Sequence, residues 1–240
     1  AGGQFVLYCL TSEPALFQAY VALSPSLDWD DNLPQKSLER SFGSTSELHA
    51  FLYVARSDDS GRALADYDTL VATLNTKAPQ GFRWHGQAFP DETHSSIPLL
   101  GQIDALRSLY SGYRFHNDML DQGLPAAQKH FQEVSKKVGW PIAIPENVIN
   151  GLGYAALSQG RNDEAIALFR RNVEANPNSA NAYDSLADGY AKAGQWREAA
   201  RASDRSVALA IQFELPDSAY FMQQAKKMND RLKQESEGDR

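Results

Sequence analysis

An α/β unit followed by an all-α unit is the fold this sequence predicts, and three observations carry the prediction. The chain opens on a glycine turn, an apolar helix, a proline turn and a short strand, the grammar of helices laid on a sheet. The run Leu-His-Ala-Phe-Leu-Tyr-Val-Ala over 48–55 is nearly continuous apolar sequence, as in a central parallel strand covered on both faces. Beyond about residue 125 the pattern is helical throughout, and residue types recur at a spacing of 34.

The elements follow in order. Phe5-Val6-Leu7-Tyr8-Cys9-Leu10 runs without a breaker to Glu13-Pro14 and predicts a buried helix, and Ala19-Tyr20-Val21-Ala22-Leu23 a short core strand. Residues 34–42 read as a short helix or ordered loop. After the central strand, Leu64, Tyr67, Leu70, Val71 and Leu74 form one buried helical stripe, closed by Pro79 and Gly81. In 82–89, Arg83, His85 and Gln87 alternate with Phe82 and Trp84, which predicts a strand nearer the sheet edge. A polar loop over 90–96 leads into a closing helix whose apolar stripe is Ile97, Leu100, Ile103, Leu106 and Tyr110.

Residues 1–113 thus form the α/β domain. Residues 114–124 carry few core residues and read as a linker, and 125–240 as a helical domain. Within it Leu152 and Leu186, Gly153 and Ala187, Gly160 and Gly194, and Ala165 and Ala199 pair at the 34-residue spacing. The small residues allow two helices of a hairpin to approach closely, while Leu157, Leu168, Phe169 and Tyr190 fill the layer between hairpins. Helices over 126–138 and 217–233 cap the pair, and 235–240 is a frayed tail.

Composition narrows the function. With 42% hydrophobic and 22% charged residues the chain has the balance of an ordinary globular protein. No apolar run reaches the roughly twenty residues of a membrane span. A net charge of -7, with no basic block interleaved with aromatics, argues against a nucleic-acid partner. The single cysteine, Cys9, cannot form an internal disulfide and reads as a small core hydrophobe. No histidines or acids stand at metal-ligand spacing, so neither a metal nor a cofactor is expected.

The opening Ala1-Gly2-Gly3, then Glu13-Pro14-Ala15-Leu16-Phe17-Gln18-Ala19-Tyr20, then Ser24-Pro25-Ser26-Leu27-Asp28-Trp29-Asp30 resemble the esterase D and enterochelin esterase-like group of the α/β-hydrolase superfamily. That group reads G-H-S-x-G-G, a helix, R/K/E-P-x-L-F-x-A-Y, and a strand ending S-P-S-L-W-W-D. Asp28 departs from it, standing where the group often has Trp in the pocket wall. Phe89-Pro90-Asp91-Glu92-Thr93-His94-Ser95-Ser96-Ile97-Pro98 resembles the group's F-P-x-E-x-H-x-S-x-P around its catalytic histidine. The 34-residue period is similar to that of tetratricopeptide repeats. The resemblances imply the C-terminal part of an α/β-hydrolase parallel sheet followed by a tetratricopeptide-like helical domain.

They also imply a serine carboxylesterase without a cofactor, acting on small or medium acyl esters through an acyl-enzyme. Such chemistry needs a serine, a histidine to take its proton, an acid to orient that histidine, and backbone N–H groups aimed at the oxyanion. The nucleophile is expected immediately ahead of Ala1, with the Ala1 N–H in the oxyanion hole, so these 240 residues alone are expected to be inactive. His94 is the expected base. Asp58 is the preferred acid, although its neighbour Asp59 cannot be separated from it by sequence and some members of the group use a Ser–His pair alone. Ser24 and Ser26 match a strand-end motif, and Ser95 and Ser96 lie on no elbow, so none is expected to be the nucleophile. His49, His85, His116 and His130 are read as structural.

The competing reading is a binding protein whose repeats recruit an acidic or hydrophobic peptide, with the hydrolase half as scaffold. Under the esterase reading the strand over 20–23 is expected at an open sheet edge beside exposed apolar surface.

Overall fold

A computed structural model describes residues 2–238. It divides into two compact units, one comprising the residues up to Tyr113 together with Val134–Pro141, the other Arg114–Glu133 with the residues from Ile142 onward. The first is α/β and the second all-α.

In the first unit the order is α1 (Gly2–Ser12), β1 (Ala19–Leu23), α2 (Trp29–Ser44), β2 (Phe51–Arg56), α3 (Gly61–Lys77), β3 (Arg83–Ala88) and α4 (Ile97–Leu109). The three strands form one parallel sheet in the order β1-β2-β3. β2 is central, with Phe51 to Ala55 all buried, because successive side chains feed two different cores. Leu52 and Val54 point to a cluster with Leu7 and Leu10 of α1, Leu38 of α2, and Leu70 and Leu74 of α3. Phe51, Tyr53 and Ala55 point to the other side, where Ile97, Ala105 and Leu109 of α4 pack. Cys9 is buried among the first set. Among the described residues β1 pairs on one side only, so it forms a sheet edge.

Of the two readings of 34–42 the helix is the one observed: the segment belongs to α2, whose start is interrupted by Asp30, Asp31 and Asn32 at φ of 47°, 55° and 61°. Asp and Asn tolerate this left-handed region better than other side chains do. Of the stripe expected on α4 only Ile97 packs. The helix buries Ile97, Gly101, Ala105 and Leu109 and leaves Leu100, Ile103, Leu106 and Tyr110 exposed. The close approach explains this, because a Cβ on Gly101 would stand 2.7 Å from a Leu23 methyl of β1. Small residues set the contact face, and the larger ones turn outward.

The second unit contains a 3-10 helix (Asn117–Gln122), most of α5 (Gly123–Val138), then α6 (Glu146–Ser158), α7 (Asn162–Ala175), α8 (Ala180–Lys192), α9 (Trp196–Gln212) and α10 (Ser218–Gly238). Residues 114–124 are not bare linker. Phe115 is buried in this unit's core, and Met119, Leu120 and Leu124 pack against it. α6 with α7 and α8 with α9 form two hairpins that repeat one geometry. Gly160 and Gly194, after the first helix of each, have φ of 73° and 75°. Ala165, Ala187 and Ala199 are fully buried where the helices meet. No helix among the described residues is long and apolar enough to cross a membrane.

Candidate active site

His94 lies on the loop between β3 and α4, at the carboxyl end of the sheet, where α/β folds present their chemistry. Thr93 and Ser96 shape that loop: the Thr93 N–H donates to Ser96 Oγ at 2.9 Å, and the Ser96 and Ile97 N–H groups return to the Thr93 carbonyl at 3.1 and 3.0 Å. The loop after β2 is stitched to it by the Asp58 N–H, which donates to the Glu92 carbonyl at 2.9 Å. His94 itself is exposed.

A cleft of about 130 Å³ is lined by His94 together with Ser24, Ser26, Asp28, Asp59 and Tyr67, among others. Asp58, the preferred acid from sequence, contributes its backbone to the His94 loop, while its exposed side chain does not line the cleft. Asp59 does. Its Oδ2 accepts from the Ser57 N–H at 3.1 Å and from the hydroxyls of Ser57 and Ser24 at 3.5 Å each. Those hydroxyls are 2.8 Å apart, and both residues are buried, Ser57 at 0% and Ser24 at 6% exposure. Ser24 also has φ of 39°, a left-handed conformation costly for a serine, which turns the chain sharply out of β1.

The first turn of α1 reaches the same place. A Cβ on Gly3 would meet the Pro25 Cα at 2.9 Å and the Leu23 carbonyl oxygen at 3.3 Å, so only glycine fits there. Pro25 also lines the His94 cleft. The first turn of α1 is therefore adjacent to the cleft. Ala1, expected as an oxyanion donor, lies outside the described residues. A larger, mostly apolar cavity of about 320 Å³ between α1 and α2, lined by Phe5, Tyr8, Trp29, Leu33 and Pro34, shares no lining residue with the cleft. It holds no imidazole or carboxylate. Among the described residues no group of three or more His, Cys, Asp or Glu could hold a metal ion.

Sequence reasoning took Ser24 as a strand-end residue and gave Ser57 no role. The signal available was a hydroxyl one residue past the end of each of two adjacent parallel strands.

No protein-family model matches the chain, and neither does any curated protein. Solved structures do match. An IroE-like serine hydrolase from Shewanella oneidensis aligns with a TM-score of 0.59 at 19% identity, over 72% of this chain and 56% of that one. An uncharacterised protein from Capnocytophaga ochracea aligns with a TM-score of 0.48 at 15% identity, over 85% of this chain and 60% of its own. The chain spans less than two thirds of the length of either. The first likeness establishes a fold shared with a serine hydrolase.

Proposed function

We propose that this chain carries the general-base half of a serine carboxylic ester hydrolase acting on small or medium acyl esters. The observation that carries the reading is the meeting of three elements at one cleft: the first turn of α1 against Pro25, the Asp59 carboxylate, and His94. In this reading the attacking hydroxyl belongs to a serine joined to Ala1. His94 takes its proton as the oxygen bonds to the ester carbonyl carbon, and the oxyanion is met by the Ala1 N–H and the positive end of α1. The tetrahedral intermediate collapses, the C–O bond to the alcohol breaks, and the imidazolium returns its proton to the leaving alkoxide. Water then repeats the sequence on the acyl-enzyme and releases the acid.

Of the Asp58–Asp59 pair, Asp59 is the better orienting acid, because it lines the cleft and its Oδ2 is already held by Ser57. Asp28, Asp59 and Asp66 all line the cleft, and their charge disfavours acyl groups that are themselves anionic. We read the two hairpins as tetratricopeptide-like, forming a helical domain appended to the hydrolase domain.

The test is hydrolysis of p-nitrophenyl acetate and butyrate by the protein made from its full reading frame. His94→Ala is expected to lower kcat by roughly 10³-fold or more, and Asp59→Asn by on the order of 10²-fold, with Asp58→Asn close to wild type. Equal activity in wild type and His94→Ala rejects the reading in favour of a non-catalytic scaffold.

A further inference from the structure

The larger cavity, between α1 and α2, takes no part in the proton transfers at His94, but it lies directly beside that cleft. Gln4, Phe5 and Tyr8 line it from α1, on a different face from Leu7 and Leu10, which are buried with Leu52 and Val54 of β2. Trp29, Leu33 and Pro34 line it from α2. The left-handed stretch over Asp30–Asn32 separates Trp29 from Leu33, and both sides of that break face the one cavity. Its volume of about 320 Å³ falls within the span of small-molecule sites, roughly 300–1,000 Å³.

Cavity and cleft adjoin at two points of the chain. Asp28 lines the cleft, and the next residue, Trp29, lines the cavity. On α1, Gly3 abuts Pro25 of the cleft, and the next residue, Gln4, lines the cavity. A substrate whose reacting carbonyl lies at His94 thus has the cavity beside it, past the Asp28–Trp29 backbone.

The lining decides what enters. No charged side chain among the described residues faces the cavity, so an ionic group would lose its hydration there without gaining a partner. Phe5, Tyr8 and Trp29 are 64%, 64% and 58% exposed, apolar surface that a hydrocarbon chain would remove from water. No residue lines both spaces, so a ring joined directly to the carbonyl carbon stays in the cleft. An unbranched chain can bend past Asp28 and Trp29.

We propose that the α1–α2 cavity receives the far end of an unbranched medium-chain acyl group, of the octanoyl class, while its carbonyl lies in the His94 cleft. The proposal rests on the ester-hydrolase reading and adds to it a chain-length preference and the residues that set it.

The experiment compares kcat/KM for p-nitrophenyl butyrate, hexanoate, octanoate and benzoate, using the protein made from its full reading frame. From butyrate to octanoate kcat/KM should rise by up to about fourfold per added methylene, while benzoate gains nothing over butyrate. Leu33→Glu, which places a carboxylate in the cavity, should bring the octanoate-to-butyrate ratio close to one while melting as the wild type does. Leu33→Met should keep the ratio. Octan-1-ol, an uncharged chain without an ester, gives a readout that does not depend on turnover: it should change Trp emission saturably, and Trp29→Phe should abolish the change. A flat chain-length profile with turnover retained overturns the acyl cavity and leaves the ester-hydrolase reading standing. So does a ratio that Leu33→Glu does not move. An unresponsive Trp29 shows the cavity to be covered by another part of the protein and likewise overturns the proposal. Absence of turnover on every ester, with His94→Ala indistinguishable from wild type, rejects the ester-hydrolase reading and the acyl role with it.

Discussion

The hydroxyls of Ser24 and Ser57 lie 2.8 Å apart, each one residue beyond the end of a parallel strand, and both reach Asp59 Oδ2. The Ser57 N–H donates to both Ser24 Oγ and Asp59 Oδ2 at 3.1 Å, so the acid is held by the ends of two strands rather than by a free loop. If that arrangement orients Asp59 towards the base, Ser57→Ala should lower kcat about tenfold with little change in KM, at a stability cost of about 1 kcal/mol. Ester kinetics and urea unfolding of the full-length protein check both. Unchanged kcat with reduced stability would make the pair purely structural.

Gly153 faces Phe169, a fully buried side chain. A Cβ at Gly153 would stand 2.3 Å from Phe169 Cε1 and 2.7 Å from its Cζ. Gly153→Ala should therefore destabilise the helical unit by about 3 kcal/mol, read by urea unfolding, and the double variant with Phe169→Leu should recover part of the loss.

Asp184 makes the helical unit sensitive to pH in a defined direction. Its carboxyl is raised from 3.8 to about 6 by burial and then by Asp188, so between those values the folded state binds more protons than the unfolded one. Stability from this group is greatest below about pH 4, falls as pH rises to 6 and levels off above it. Asp184→Asn removes that fall and should raise the melting temperature at pH 7.5, by on the order of 2 kcal/mol of stability. The difference between thermal melts at pH 4.5 and 7.5 should be smaller for the variant than for the wild type, the remainder coming from Asp188, which burial also raises.

Leu99, at 71% exposure, with Leu100, Ile103 and Leu106, presents apolar surface on α4, in the same unit as the sheet edge at β1. Such surface promotes self-association. The isolated 240-residue chain should therefore show a sedimentation coefficient that rises with concentration, and Leu99→Lys with Leu106→Lys should reduce the rise without lowering the melting temperature.

Much of the fold was legible because it rests on unambiguous patterns. The apolar run at β2 has nowhere to go but a sheet covered on both faces, and Gly160 and Gly194 punctuate the repeat at matching turns. The face of α4 was not legible, since periodicity weighs large apolar residues and passes over Gly101 and Ala105, whose smallness lets the helix approach Leu23. Residues 114–124 hid Phe115, a single aromatic that anchors the segment. In the site, the His94 loop could be found by its motif, but whether Asp58 or Asp59 turns inward depends on the backbone after β2, which no side-chain pattern encodes. Asp184 and Asp188 could have been noticed as acids one turn apart on a helix that is otherwise mostly buried.

The central claim is that His94 serves a serine at the amino end of α1. Fluorophosphonate labelling of the full-reading-frame protein, followed by peptide mapping, tests it most directly. The account predicts one labelled serine, immediately preceding Ala1, with labelling lost in His94→Ala. Label on any other residue, or undiminished labelling without the imidazole, contradicts it.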